Sequence, residues 1–319
     1  MTAPPSPTRQ LAVRISAMDA GCRFIDFLAR RFTYRDCAAW HEEIATGRLL
    51  VNGALAAAEQ PLASGDEVTY HPLPFAEPAV ATDYTVLHED ADLLVLDKPA
   101  PLPCHPGGRY FRHTLWALLR ERHDLARPLF ANRLDRETSG VIVVARHRDA
   151  ARHLATQFAM QQIDKEYLVV VEGEFPHRES TATGWLAPDL KSAVRKKMRF
   201  FQAQPPLAAK ACTTGFTRLA TQNGLTLLMA RPLTGRCHQI RATLLALGFP
   251  VVGDKLYGVD ETLFLRFIDD QLTAADGERL RLPRQALHAS RLTFTHPATA
   301  ARLSYSAPLP AMLHSLLAP

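Results

Sequence analysis

The chain has 319 residues, 47% of them hydrophobic, which allows one large core with a small appendage and excludes a disordered protein. A formal charge of +5 and a pI near 9.0 favour an anionic partner, because surplus Lys and Arg attract phosphates and release their counterions. No stretch approaches the roughly 20 apolar residues of a membrane span, and the Pro-rich start MTAPPSPTRQ lacks a secretory pattern, so a cytoplasmic protein is expected.

After about ten residues expected to be flexible, the segment from Cys22 to Gly53 reads as two short helices, a turn and a strand. Phe24, Phe27 and Leu28 keep helical spacing, as do Trp40, Ile44 and Ala45 before Gly47. LLVNG is a strand ended by the tight-turn pair Asn52-Gly53, and the segment through EVTYHP supplies a second strand. PLPFAEPAVAT, with its three prolines, fits an extended tether. The expected division is therefore a module over 1–75, a linker over 76–83 and a larger domain over 84–319.

In the larger domain YTVLHED, DLLVLDKP, VIVVA and EYLVVVEG read as buried strands. One helix is predicted from about Arg148 to Met160, with Ala151, Leu154 and Phe158 on one face. A second runs from His238 to Leu247, with Ile240, Leu244 and Leu247 as its apolar stripe and Gly248 as its stop. Arg241 then projects to the side of the stripe, where it can border a cleft. Strands and helices without regular alternation indicate an α+β domain with a mixed sheet.

Three segments carry candidate chemistry. Asn132 to Gly140, NRLDRETSG, is a charged loop abutting the strand VIVVA. Arg133 and Arg136 flank Asp135 and favour its ionised form, as suits a base or nucleophile; the alternative is a solvated loop of mutually paired charges. Thr234 to Arg241, TGRCHQIR, opens the second helix, where a glycine and free N–H groups suit an anion. Cys237 and His238 are adjacent on that helix and do not face one another, which argues against a thiol–imidazole pair; His238 can instead cap the helix. Tyr167, in Lys165-Glu166-Tyr167, can stack on an unstacked base or be a half-buried strand residue. Cys22, Cys37, Cys104, Cys212 and Cys237 form no C-x-x-C pair, so reduced thiols and no metal site are expected.

Together NRLDRETSGVIVVA, KEYLVVV and GRCHQIRATLLALGFPVVGDKLYG resemble, in order and spacing, the RluA-type pseudouridine synthase family. HEDADLLVLDKPAPLPCHPGGRY is similar to the family's opening strand pair and substrate-side loop. The resemblance implies a largely antiparallel sheet with flanking helices and a central cleft. It implies Asp135 as the essential carboxylate, Tyr167 as the base-stacking ring and Arg241 as the carboxylate's partner. Arg133 would hold the flipped nucleotide, with Arg136, Arg236, His238 and Gln239 as further substrate contacts. Asn132 stands where the family has histidine, Cys237 where it has threonine, and Ala242-Thr243 where it has an apolar residue and histidine.

RFIDFLARRF and EEIATGRLLVNG resemble an S4-type RNA-binding module, with Arg30, Arg31 and Arg48 as its phosphate contacts. In the run Lys191, Arg195, Lys196, Lys197 and Arg199, Lys196 and Lys197 are the expected backbone grips; the alternative is a solvated face. The implied activity is isomerisation of uridine in ribosomal or transfer RNA, by a monomer without cofactor or metal. A catalytically inactive RNA-binding protein on the same fold is the alternative. A zinc deaminase lacks its H-x-E and P-C-x-x-C signature here, and a glycosidase would need Asp135 paired with Glu137.

Overall fold

In the computed structural model, residues 10–32, 35–73, 76–203 and 205–317 are described, and the chain divides into two compact units, Met1–Ala76 and Glu77–Pro319. The flexible start expected over the first ten residues falls almost wholly outside the described residues. No helix among them is long and apolar enough to cross a membrane.

The smaller unit runs β1 (Leu11–Arg14), α1 (Phe24–Arg31), α2 (Cys37–Ala45), β2 (Leu49–Val51), β3 (Ala54–Leu55) and β4 (Glu67–Tyr70). Its sheet has the order β1-β4-β2-β3, antiparallel throughout. Phe24, Phe27 and Leu28 from α1 meet Trp40 and Ile44 from α2 in one core, as their spacing predicts. Asp36 caps α2 by accepting from the Ala39 N–H at 2.8 Å. The Asn52-Gly53 turn takes positive φ at both residues, 52° and 78°, which only such residues adopt readily.

The larger unit runs β5 (Thr85–Glu89), β6 (Leu93–Lys98), α3 (Leu115–Arg122), β7 (Leu129–Phe130), β8 (Ser139–Ala145), α4 (Arg148–Ala159) and β9 (Asp164–Glu172). It continues with β10 (Glu179–Pro188), β11 (Met198–Phe201), β12 (Lys210–Gln222), β13 (Leu225–Pro232), α5 (Gln239–Ala246), α6 (Thr262–Ile268), α7 (Ala274–Leu280), β14 (Leu287–Thr295), β15 (Arg302–Ser306) and α8 (Ala311–His314). One sheet carries the strands in the order β11-β10-β12-β13-β9-β14-β8-β6-β5, with β15 beside β14 and β7 beside β8. Among the described residues only β14 and β8 pair in parallel, so the expected mixed, largely antiparallel α+β sheet is what forms.

Both faces of β6 and β8 are covered, and each strand is therefore a near-continuous apolar run. Leu93, Val95, Val141 and Val143 pack with Ala150 and Leu154 of α4, whereas Leu94, Leu96, Ile142 and Val144 pack with Leu115, Leu118 and Leu119 of α3. The period of two thus assigns alternate residues to two cores.

Two expectations need correction. The stretch 76–83 has no helix or strand, yet it is not a free tether: the Glu77 carboxylate accepts the N–H groups of Phe111, Arg112 and His113, and the Ala81 N–H donates to Pro101 O at 2.9 Å. Nor is α5 amphipathic. All residues from Gln239 to Leu244 are buried, because the helix is enclosed beside the sheet rather than laid on its surface.

Candidate active site

The loop carrying Asp135 joins β7 to β8 and is tied down by its backbone. Leu134 is buried in the α3 core, its carbonyl accepts from Cys104 Sγ at 3.2 Å, and the Arg136 carbonyl accepts from the Leu102 N–H at 2.8 Å. Asn132 Oδ1 accepts from the Val143 N–H at 2.9 Å, so the residue replacing histidine braces the loop against β8. The Asp135 side chain is left partly open to a small pocket lined also by Arg133, Lys165, Tyr167, Arg236, His238, Gln239 and Arg241, with a volume of about 120 Å³. Four elements thus converge on one concave site.

Arg241, 7% exposed, sets the electrostatics. Its Nη1 donates to Asp135 Oδ2 at 2.7 Å, while Nε and Nη2 donate to the two oxygens of Asp254 at 2.5 and 2.8 Å. Asp254, fully buried, also accepts the N–H groups of Leu256 and Tyr257 at 3.0 and 2.9 Å. The guanidinium plane is therefore fixed by a bidentate pair behind it and presents its remaining edge to Asp135. Burial pushes the Asp135 carboxyl up, but the Arg241 charge and hydrogen bond outweigh it and hold the group at about 2. Asp135 is an ionised, oriented carboxylate at neutral pH.

His238 stands at the N-cap of α5 in the left-handed region, φ 54°, with no capping bond, so the expected cap is absent. Its Nδ1 instead meets Tyr257 Oη at 2.8 Å and its Nε2 lies 3.8 Å from Asp135 Oδ1. Burial lowers its pKa to about 4 despite the attraction of Asp135, leaving a neutral imidazole. It shares no contact of this kind with Cys237, in keeping with the argument against a thiol pair. A non-glycine residue at positive φ beside a pocket carboxylate is the kind of strain that functional sites retain.

Tyr167 packs between two apolar clusters with its ring lining the pocket, and burial together with the Asp135 charge pushes its phenol up to about 12. It is a neutral, rigid apolar wall beside the carboxylate. Arg133 and Arg236 are exposed pocket-lining cations.

Other expected contacts fall elsewhere. Gln239 touches the pocket, but its Oε1 accepts from Thr234 Oγ1 and the Arg236 N–H, and its Nε2 donates to Thr213 O and Thr214 Oγ1. It braces the turn rather than offering a free amide, and it occupies the Arg236 N–H expected to await an anion. Arg136 is held outside the pocket lining by Tyr110, Glu137 and the Phe267 ring. Glu137 pairs with Arg136 and with Lys255 Nζ at 3.0 Å, so no second carboxylate faces Asp135 as a glycosidase pair would require. Lys197 is paired with Glu261 at 2.7 Å, and Arg48 is paired with the buried Glu43 at 2.5 Å; neither is the free phosphate contact expected. Lys196 lies 4.2 Å from the Phe264 ring, Arg30 pairs with Asp19 at 2.6 Å, and Arg31 is exposed.

Sequence reasoning missed Asp254, Tyr257 and Lys165. Asp254 and Tyr257 lie in GDKLYG, beyond the end of α5, and their spacing of three is the signal: a carboxylate capping the N–H groups of the next turn.

Comparison with known proteins agrees with this geometry. The family described as RNA pseudouridylate synthase matches residues 92–246, the stretch containing Asp135, Tyr167 and Arg241. A protein from Yersinia pestis named ribosomal large subunit pseudouridine synthase C is 32% identical over 98% of this chain and 96% of its own length. RNA pseudouridine synthase 7 of Oryza sativa subsp. japonica is 30% identical over 75% of this chain, which spans 61% of that longer protein. The solved structure of human RNA pseudouridylate synthase domain containing 1 superposes with a TM-score of 0.57 at 25% identity, covering 74% of this chain and 90% of that one. With a near end-to-end relative, a family match across the Asp135 loop and a shared fold, this chain belongs to the RNA pseudouridylate synthase family.

Proposed function

We propose that, as an RNA pseudouridine synthase, the chain isomerises specific uridines in structured RNA through Asp135, and that its substrate is ribosomal RNA of the large subunit. The observation that carries the catalytic assignment is the Asp135 carboxylate held ionised by Arg241 in the pocket that Tyr167 lines. The near end-to-end likeness to a protein named for the large ribosomal subunit supports the choice of ribosomal RNA over transfer RNA. In this reading the chain acts as a monomer in the cytoplasm, and every residue lining the pocket comes from the larger unit.

A stacked base is sterically closed to attack, so the target uridine leaves the stack, at a cost of about a few kcal/mol, and enters the pocket. Tyr167 stacks on the uracil and keeps water from that face. Asp135 acts either as nucleophile, forming an ester that C5 later displaces, or as base toward a ribose proton that it returns when C5 bonds, and the bond from C1′ to N1 breaks. The detached uracil turns, C5 bonds to C1′, and the C5 proton is lost while N1 gains one, so atoms and charge balance without a cofactor. Arg241 keeps the carboxylate ionised and aimed throughout. The smaller unit is an S4-like RNA-binding module: α1 carries Arg31 and Arg30 as phosphate contacts, Arg30 exchanging its solvent-exposed ion pair with Asp19 for a phosphate.

The test is release of tritium from C5 of uridine in ribosomal RNA transcribed in vitro, with sequencing to map the product. Asp135→Asn is expected to lower the rate by at least about 10²–10⁴-fold with folding and RNA binding retained. Pseudouridine formed by that variant at the wild-type rate would remove Asp135 from the reaction, and a wild-type chain that binds RNA without releasing tritium would make it an inactive binding protein.

A further inference from the structure

Lys165 enters the pocket at the head of β9, and the mechanism above makes no use of it. The period of two puts it on the Tyr167 face, while Glu166 turns to the other face and pairs with Arg231 at 2.9 Å. An ammonium has three donors. Here one is taken, by Thr234 O at 3.1 Å, and among the described residues no carboxylate forms an ion pair with it. Its neighbour Asp164 is paired with Arg302 at 2.6 Å on the exposed edge. Burial accordingly lowers Lys165 to about 8, with only a partial counterweight from Asp164.

A half-buried ammonium with one carbonyl partner is costly unless an anion completes it. The pocket supplies none: its carboxylate, Asp135, is already held by Arg241. The other ionisable groups around the cavity are Arg133 from the catalytic loop, Arg236 from the turn before α5, Tyr167, and His238 and Arg241 from α5 and its cap. With His238 neutral and Asp254 behind Arg241, cations exceed carboxylates by two: Arg133, Lys165, Arg236 and Arg241 against Asp135 and Asp254. A nucleotide lifted out of an RNA strand brings a phosphate on each side of its ribose.

We propose that Lys165 binds a backbone phosphate next to the flipped uridine, resting on the reading that a uridine occupies this pocket. The contact locates the sugar relative to Asp135 and is made when the nucleotide enters, so it acts on binding. Lys165 is thereby a substrate-binding residue, and its loss falls mainly on KM.

The probe is fluorescent single-stranded oligouridylate, bound by the full chain across a salt titration, alongside tritium release from the modified RNA. Lys165→Met is expected to weaken binding about tenfold or more. The slope of log affinity against log salt should become less steep by about 0.7, the value for one phosphate contact on a single strand. Wild-type affinity should fall as pH rises through about 8, where Lys165 loses its proton. Lys165→Arg should bind without that fall, since arginine stays charged. Lys98, also near 8 but buried against carbonyls of its own loop, is common to both proteins and cancels in the comparison. If Lys165→Met does not fold, the arginine variant alone decides through its pH profile. An unchanged salt slope with the loss confined to kcat would place the ammonium on the base and overturn the proposal, as would an alkaline fall in Lys165→Arg as large as that of the wild type. Absence of tritium release from the wild type would defeat the catalytic reading while leaving these binding results interpretable.

Discussion

Arg241 makes three directed bonds with one guanidinium, two to Asp254 and one to Asp135. The two contacts separate stability from activity. Arg241→Ala strands the fully buried Asp254 carboxylate and is expected to cost about 3–5 kcal/mol of folding stability, measured by urea denaturation. Arg241→Lys retains a charge but loses the planar fork, so it cannot orient Asp135 while satisfying both oxygens of Asp254. Its stability loss should be smaller than that of the alanine variant, with tritium release still strongly reduced; wild-type turnover in the lysine variant would show that charge alone suffices. Asp135→Asn differs from both, because Arg241 keeps its compensating Asp254. Asp135 and Arg241 were legible in sequence because they sit in short, ordered motifs. Asp254 lies 13 residues past Arg241 and 119 past Asp135, and only folding makes it their neighbour.

Between elements, the close approach of β8 to β14 decides where the Asp135 loop sits. Gly140 pairs with Ala289 in parallel, at φ +111°, and a Cβ there would lie 2.1 Å from Ala289 O. Neither backbone can yield without shifting the loop that precedes β8. Gly140→Ala is therefore expected to destabilise the larger unit by more than about 1–3 kcal/mol and to lower its melting temperature; an unchanged melting curve would count against this reading of the strand junction. Strands β6, β8 and β9 were readable as apolar runs bounded by polar turns; β5, also expected to be buried, is instead an edge strand with no buried residue, because it has a neighbour on one side only, and β10 and β12 carry Thr, Gly and charged residues that blur the period. The register that brings Tyr167 opposite Ala289 and Ala230 depends on neighbours on both sides of β9. No local pattern contains that information.

At the level of the whole molecule, the two units divide labour under the proposed reading, and the structure reassigns one expected RNA contact in each: Lys197 in the larger unit and Arg48 in the smaller. Arg48 binds the buried Glu43 and is needed inside the module. Arg48→Ala should lower the melting temperature of the full chain's first transition, whereas the double change Arg30→Ala and Arg31→Ala should leave melting nearly unaltered and flatten the salt dependence of RNA binding. Equal salt slopes in wild type and the double variant would remove the module from RNA recognition.

The sequence by itself determined the α+β class, the apolar strands β6, β8 and β9 and the family to which the chain belongs, and it singled out Asp135, Tyr167 and Arg241, which fold into one pocket, since each is written in local periodicity or a short motif. Tertiary structure alone decided which of the many cations face the pocket and which are bound to carboxylates elsewhere. Arg133, Lys165 and Arg236 line the cavity, while Arg136, Lys197 and Arg48 are held by Glu137, Glu261 and Glu43. The physical reason is that an ion pair depends on distance in space, and the partners that neutralise a charge can lie far away along the chain, as Glu261 does from Lys197.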